Sequence, residues 1–179
     1  DLLVIGSRGQ GGIAERLLGG TAFSVPALAK CPVVVVPPHT AGKEFTPVDR
    51  IVVGVDGSDV ASAALVAAVD MGIVWQATVN AVVAVPIATG AGAMSWLPVA
   101  VDRHAVMDDI RRGLDMAVDQ AVDSRDFRVS KHVLDGSPAA LLAEFSTAVD
   151  LVVVGTRGRG GFSGLLMGST SQSVIQHST

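Results

Sequence analysis

Aromatic side chains make up only 4% of this sequence, and no run of Lys or Arg offsets a formal net charge of −4. Without stacking platforms or a basic track for phosphates, nucleic acid is not expected as the main partner. The single cysteine, Cys31, rules out an intrachain disulfide and an all-cysteine metal site. Beside Pro32 and ahead of a valine run, it reads as a small buried hydrophobe. The four histidines (His39, His104, His132 and His177) form no metal-ligand pair by spacing and read as surface or packing residues. There is no Gly-x4-Gly-Lys-Ser/Thr loop, since Gly42-Lys43 continues with Glu44 in a polar stretch. Neither a Gly-x-Ser-x-Gly elbow nor a Cys/His pair supplies a nucleophile, so covalent catalysis has no support. No secretory leader is visible. Charge is also missing from Met71 to Val101, which raises the question of a membrane span. Gln76, Asn80, Pro86, Gly90, Gly92, Ser95 and Pro98 interrupt the ~20 apolar residues a span needs. That stretch reads instead as a buried strand followed by an apolar loop.

Apolar residues are plentiful, at 49%, enough for a real core. They fall in short β-branched runs alternating with helical patterns. Leu2–Ile5, Val33–Val36, Arg50–Val55, Thr78–Val85, Arg128–Leu134 and Leu151–Val154 read as strands. Thr21–Lys30, Asp59–Ile73, Asp102–Val122 and Ser137–Ala148 read as helices, the last opened by an N-cap and Pro138 at the first helical position. In Asp102–Val122, Val106, Ile110, Leu114, Ala117, Val118 and Ala121 share one face, and Asp108, Asp109, Arg111 and Arg112 form a solvated one. His39–Asp49 is polar and reads as a linker, and Pro86–Pro98 as a loop. Strand–helix alternation of this length implies an α/β fold: a parallel sheet with right-handed crossovers and helices on both faces.

Leu151–Val154 leads directly into Gly155-Thr156-Arg157-Gly158, nine more residues, then Gly168-Ser169. Gly160, Gly161 and Gly164 lie in that loop, and Ser169 is a candidate N-cap for a helix running toward His177. Such a loop suits a phosphate, with backbone N–H groups turned inward and a helix start adding partial positive charge. It equally suits a flexible strand-to-helix connection. The same stretch occurs twice: Asp1–Val25 aligns without gaps on Asp150–Val174, which marks a duplicated unit. Because the chain opens at Asp1 inside a strand, and Thr179 aligns with Lys30, the sequence is expected to be a window on a longer tandem protein. In the first copy Gly9-Gln10-Gly11-Gly12-Ile13-Ala14 resembles a dinucleotide fingerprint. Pro37-Pro38 stands where a ribose-binding acid is needed, so the match is weak. A second informative strand end is Asp56-Gly57-Ser58. Asp56 is an acceptor suited to ribose hydroxyls, with Ser58 reaching base or phosphate; equally, Asp56 shapes a turn and Ser58 caps a helix.

Val53-Gly54-Val55-Asp56-Gly57-Ser58 together with Gly155-x2-Gly158-x9-Gly168-Ser169 resembles the universal stress protein family, in its tandem-domain actinobacterial form. The resemblance divides the chain into a remnant of a first domain (1–38), a linker (39–49) and a second domain lacking its last strand (50–179). It implies a Rossmann-like five-stranded parallel sheet of order 3-2-1-4-5, ATP as ligand with or without Mg2+, and a homodimer formed through the last strand. Carried over by position, Asp56 holds the ribose, Gly57 and Ser58 lie near the base, and Ala84 lines the adenine. Gly155, Arg157, Gly158, Gly168, Ser169 and Thr170 surround the phosphates. The implied role is a cytoplasmic, nucleotide-dependent regulator of stress response with no nucleic-acid or membrane partner. The alternatives are a slow ATP-hydrolysing enzyme, for which no water-positioning group stands out, and an interaction module without nucleotide. Two further expectations follow. The first copy, with Gly20 in place of Ser169, is a fragment and not a site. Val33–Val36, led back by the about twelve residues Pro38–Asp49 that span up to ~40 Å, fills the missing-strand slot beside Leu151–Val154, within the chain or by exchange between two chains.

Overall fold

Ile51, Val52 and Val53 are β-branched, and neither face of the strand they form reaches solvent, with exposures of 0%, 4% and 0%. Burial on both faces marks a central strand of a parallel sheet. The structure, a computed structural model, describes residues 2–8, 18–40, 44, 46–86, 103–158 and 167–178. Within them the chain runs β1 (Leu3–Gly6), α1 (Gly20–Leu28), β2 (Val33–Val36), β3 (Arg50–Gly54), α2 (Asp59–Trp75) and β4 (Thr78–Val85). It continues through α3 (Arg103–Val122), β5 (Val129–Asp135), α4 (Pro138–Phe145), β6 (Leu151–Val153) and α5 (Ser169–His177). Elements thus follow the expected alternation, with small changes at their ends. A 3-10 turn at Pro38–Thr40 begins the linker, closed by the Thr40 hydroxyl donating to the Pro37 carbonyl at 2.7 Å. Helix α4 stops at Phe145, because the hydroxyls of Ser146 and Thr147 bond back to the carbonyls of Ala143 and Glu144. The loop expected at Pro86–Pro98 lies, after Pro86, outside the described residues.

The main sheet has the order β5-β4-β3-β6, all pairs parallel, with Ile51 opposite both Val79 and Leu151. Alternation along β3 sends residues to opposite faces. Ile51 and Val53 join Leu65, Ala68 and Val69 of α2 and Leu114, Val118 and Ala121 of α3. Val52 joins Val82, Leu142 of α4 and Val174 of α5. Helices therefore cover both faces, as the alternation requires. Each fully buried Val or Leu here contributes about 1.5–3 kcal/mol. Helix α2 lies close to the sheet because position 72 is Gly, where a Cβ would come within 2.6 Å of Phe127 Cζ and of Val79 Cγ2. The helix ends at Gln76, whose φ of 56° is left-handed and whose N–H donates to the Gly72 carbonyl. At the sheet's amino end, the Asp150 carboxylate accepts from the N–H groups of Asp49 and Arg50 at 3.1 and 2.9 Å, stitching the start of β6 to the start of β3. On the outer face of α3, Arg111 pairs with Asp108 and Arg112 with Asp109; these exposed pairs add little stability.

The expected position of Val33–Val36 within the chain is corrected by the structure. The strand does not fill the slot beside β6; it pairs in parallel with β1 as a separate two-stranded sheet, with Leu3 opposite Val33 and Gly6 opposite Val36. Among the described residues the sheet containing β3 has four strands, and β6 pairs with β3 alone. The strand order across residues 50–179 is 3-2-1-4 of the expected 3-2-1-4-5. The reason is connectivity: β1 and β2 are joined by one crossover carrying α1, the ordinary way to pair parallel neighbours. The repeat explains it further, since β1 is the counterpart of β6 and β2 follows it in the first copy. A cavity of about 580 Å3, lined by Val33–Val35 on one side and Leu151–Val154 on the other, separates the two strands. No helix among the described residues is long and apolar enough to cross a membrane.

Candidate functional site

The chain leaves β3, builds β4 and β5 outward on one side, then returns to place β6 on the other side of β3. The carboxyl ends of β3 and β6 therefore flank the point where strand order reverses, the usual crevice for ligands in such sheets. Both candidate motifs begin there. The Val55 N–H donates to the Val82 carbonyl at 2.9 Å, so pairing with β4 ends one residue before Asp56, which is exposed at the rim. Gly57 has φ of 76°, a left-handed conformation that other residues adopt at a cost. This turn lets the Ser58 N–H and Oγ–H both donate to Asp56 Oδ1, at 3.0 and 2.6 Å. Ser58 Oγ in turn accepts from the Ala61 N–H at 3.2 Å, capping α2. The turn-and-cap reading of these residues therefore holds, and the bonds that express it also orient a carboxylate at the crevice.

Across the crevice, Gly155 follows β6. A Cβ there would lie 3.1 Å from Val60 Cγ1 and 3.3 Å from the Ala61 nitrogen, so Gly155 lets β6 end against the start of α2. Its requirement for Gly comes from packing. Gly158 is different: a Cβ would overlap Asp56 Oδ2, closer than any real Cβ sits to an oxygen. Arg157 is exposed. The N-cap of α5 is Gly168, not Ser169, and no side chain caps that helix. Its φ of −72° and ψ of 153° are extended, and its N–H donates to the Thr156 carbonyl at 2.8 Å, bringing the helix start back to the end of β6. Ser169 and Thr170 form the first turn of α5, where backbone N–H groups lack intrahelical partners. Ala84 sits near the carboxyl end of β4, opposite Leu134 and two residues past the partner of Gly54. The structure thus gathers all the expected residues at the carboxyl edge of three adjacent strands. Gly160, Gly161 and Gly164 lie outside the described residues.

Ser171 was not singled out by its sequence. It is 3% exposed, and its hydroxyl lies 3.0 Å from the Thr156 carbonyl and 3.1 Å from that of Gly168, pinning the turn after β6 to α5. The repeat gives no signal for it, since it has Ala22 at this position. In other respects the first copy reproduces the geometry: Gly19 caps α1 with φ of −65° and ψ of 147°, and its N–H donates to the Ser7 carbonyl at 3.0 Å. Among the described residues β1 has only β2 beside it, so no counterpart of Asp56 reaches that loop. Nor do the described residues contain a group of three or more His, Cys, Asp or Glu placed to hold a metal. His132 instead bonds across the strands to Asn80 at 3.1 Å, and His177 Nδ1 lies 2.9 Å from the Ser173 carbonyl. The apolar cavity beside β6 is lined by Gly155 and Thr156 but not by Asp56, Ser58 or Gly158.

Universal stress protein Rv1996 of Mycobacterium tuberculosis is 34% identical over 184 residues, covering 97% of this chain and 55% of that protein. The chain spans little more than half the length of the curated relatives it matches. Among solved structures, a universal stress protein from Pseudomonas aeruginosa superposes with a TM-score of 0.65 at 19% identity, covering 98% of this chain and 59% of that one. A universal stress protein solved in complex with cAMP superposes with a TM-score of 0.56 at 24% identity, covering 74% of this chain and 92% of that one. At these identities the structures speak for the shared α/β fold. The sequence profile described as the Universal stress protein family matches residues 1–37 and 47–179, both copies of the glycine pattern included, and with it the chain belongs to that family.

Proposed function

We propose that the crevice between β3 and β6 binds an adenine nucleotide, ATP in the first instance, and that the protein acts as a nucleotide-dependent regulator. The observation that carries this reading is the meeting of Asp56 and Gly158 across the strand-order reversal. An oriented carboxylate suits the ribose hydroxyls, and a glycine turn beside the start of α5 suits phosphates. In this reading Asp56 accepts from the ribose, Gly57, Ser58 and Ala84 border the base, and Arg157, Gly158, Gly168, Ser169 and Thr170 surround the phosphates. Gly155 serves by letting the turn form. A charge-assisted hydrogen bond from ribose to Asp56 is worth about 1.5–3 kcal/mol, and the helix start adds about 0.3–1 kcal/mol for a phosphate. The relative solved with cAMP lends support from within the fold for a nucleotide of this base. Mg2+, where present, would arrive on the phosphates. In this reading the role is nucleotide binding.

The same reading takes residues 1–38 as the end of one unit, 39–49 as a linker and 50–179 as most of a second, in a cytoplasmic homodimer. The test is nucleotide release: mass spectrometry of the supernatant after denaturing purified protein, followed by calorimetry with ATP and with cAMP. Gly158→Glu adds bulk and negative charge against both Asp56 and phosphate, and is expected to abolish binding in a folded protein. Unchanged affinity in that variant removes the loop from the account.

A further inference from the structure

We infer that Gly158 is a ribose-selectivity residue as well as part of the phosphate loop: its bare Cα is the seat of the Asp56 carboxylate. The inference rests on the nucleotide reading above and deepens it. Glycine is not required at 158 by backbone conformation, since positive φ is confined to Gly57, Gly136, Gln76 and Asp123 among the described residues. What excludes a side chain there is Asp56 Oδ2, which occupies the space a Cβ would take. The other oxygen, Oδ1, is held from the opposite side by the Ser58 N–H and hydroxyl at 3.0 and 2.6 Å. The carboxylate is thus clamped between Ser58, two residues on in the same turn, and Gly158, which follows the neighbouring strand β6. Because Asp56 is exposed, a methyl at 158 does not break the core; it turns the carboxylate out toward solvent and spoils its bond to Ser58. Gly168 offers the contrast. A Cβ there meets only ordinary contacts, at 3.4 Å from Ser171 Oγ and 3.5 Å from Arg157 Cα, and nothing from Asp56.

The experiment compares ATP with 2′,3′-dideoxy-ATP by calorimetry on the full chain, wild type against Gly158→Ala, Gly168→Ala and Asp56→Ala. It is paired with the Ser58 amide resonance of each protein without nucleotide. Wild type is expected to prefer ATP about tenfold to a hundredfold, the value of a charge-assisted hydrogen bond. In Gly158→Ala that preference falls to within about threefold, as in Asp56→Ala, and combining the two changes costs little more selectivity than either alone. Gly168→Ala keeps the preference at whatever affinity remains. The Ser58 amide moves in Gly158→Ala and Asp56→Ala, and stays in place in Gly168→Ala. If Gly158→Ala weakens both nucleotides equally with the preference intact, position 158 acts through phosphate alone and the inference is overturned. An unmoved Ser58 amide in folded Gly158→Ala overturns it whether or not nucleotide binds. If wild type binds neither nucleotide while the amide moves as expected, the clamp stands and the nucleotide reading falls.

Discussion

Ser171→Ala isolates how firmly the turn after β6 is tied to α5. The hydroxyl has one proton, so at any moment it donates to either the Thr156 or the Gly168 carbonyl, which lie 3.0 and 3.1 Å away. Neither acceptor is orphaned when it goes. Thr156 still receives the Gly168 N–H at 2.8 Å, and Gly168 still receives the Gln172 N–H at 3.0 Å. The loss is therefore that of one satisfied hydrogen bond, about 0.5–1.5 kcal/mol, and not the larger penalty of a stranded buried acceptor. Alanine's better helix propensity recovers up to roughly 0.5 kcal/mol. With that recovery complete, the net expectation is destabilisation of about 0–1 kcal/mol, read from urea unfolding at unchanged slope or as a Tm fall of up to ~4 °C. The first copy supports so small a figure, since it keeps the same turn with Ala22, 1% exposed, in place of the serine. A loss above ~3 kcal/mol would refute the accounting by showing that the hydroxyl holds something beyond these two carbonyls. A gain would show that it bonds neither.

Three other outcomes test other links. Gly72→Ala gains about 1 kcal/mol of helix propensity, but its methyl must enter space 2.6 Å from Phe127 and Val79; overpacking costs ~1–3 kcal/mol, so net destabilisation by thermal unfolding is expected and stabilisation refutes the packing. Asp150→Ala strips two N–H donors at the start of β3 of their acceptor and should lower stability by ~1–2 kcal/mol, whereas no change means water serves as well. Titration should reach one nucleotide per chain and be lost in Asp56→Ala combined with Gly168→Val. The first copy has Gly20 and Ala22 for Ser169 and Ser171, and a bare phosphate loop must still meet an association cost of at least ~4 kcal/mol; two equivalents would show that it completes a site from elsewhere.

Much of the fold was legible because its signals are local. Apolar runs such as Ile51–Val53 and Leu151–Val154 carry β-branched residues whatever they pair with, and the spacing of Leu114, Val118 and Ala121 marks a buried helix face. The duplicated glycine pattern was legible too, and the hydrogen bonds of Gly19 and Gly168 show that alike sequences close alike turns. Less was legible at the site. The N-cap of α5 falls on Gly168 although a serine follows it, because the Thr156 carbonyl already claims the Gly168 N–H. The weight of Ser171 was invisible, since a serine in a first helical turn is unremarkable until its neighbours are known.

The sequence by itself determined the order of strands and helices, the repeat, and the two turn motifs that follow β3 and β6, because each depends on the chemistry of a few consecutive side chains. Tertiary structure alone decided which partner each strand takes. Four valines at 33–36 fit any parallel edge, and the α1 crossover commits them to β1 and not β6. It alone decided, too, that Gly158 stands against Asp56. Residues so far apart along the chain meet only when the sheet's return path puts β6 beside β3, and no local pattern encodes that distance.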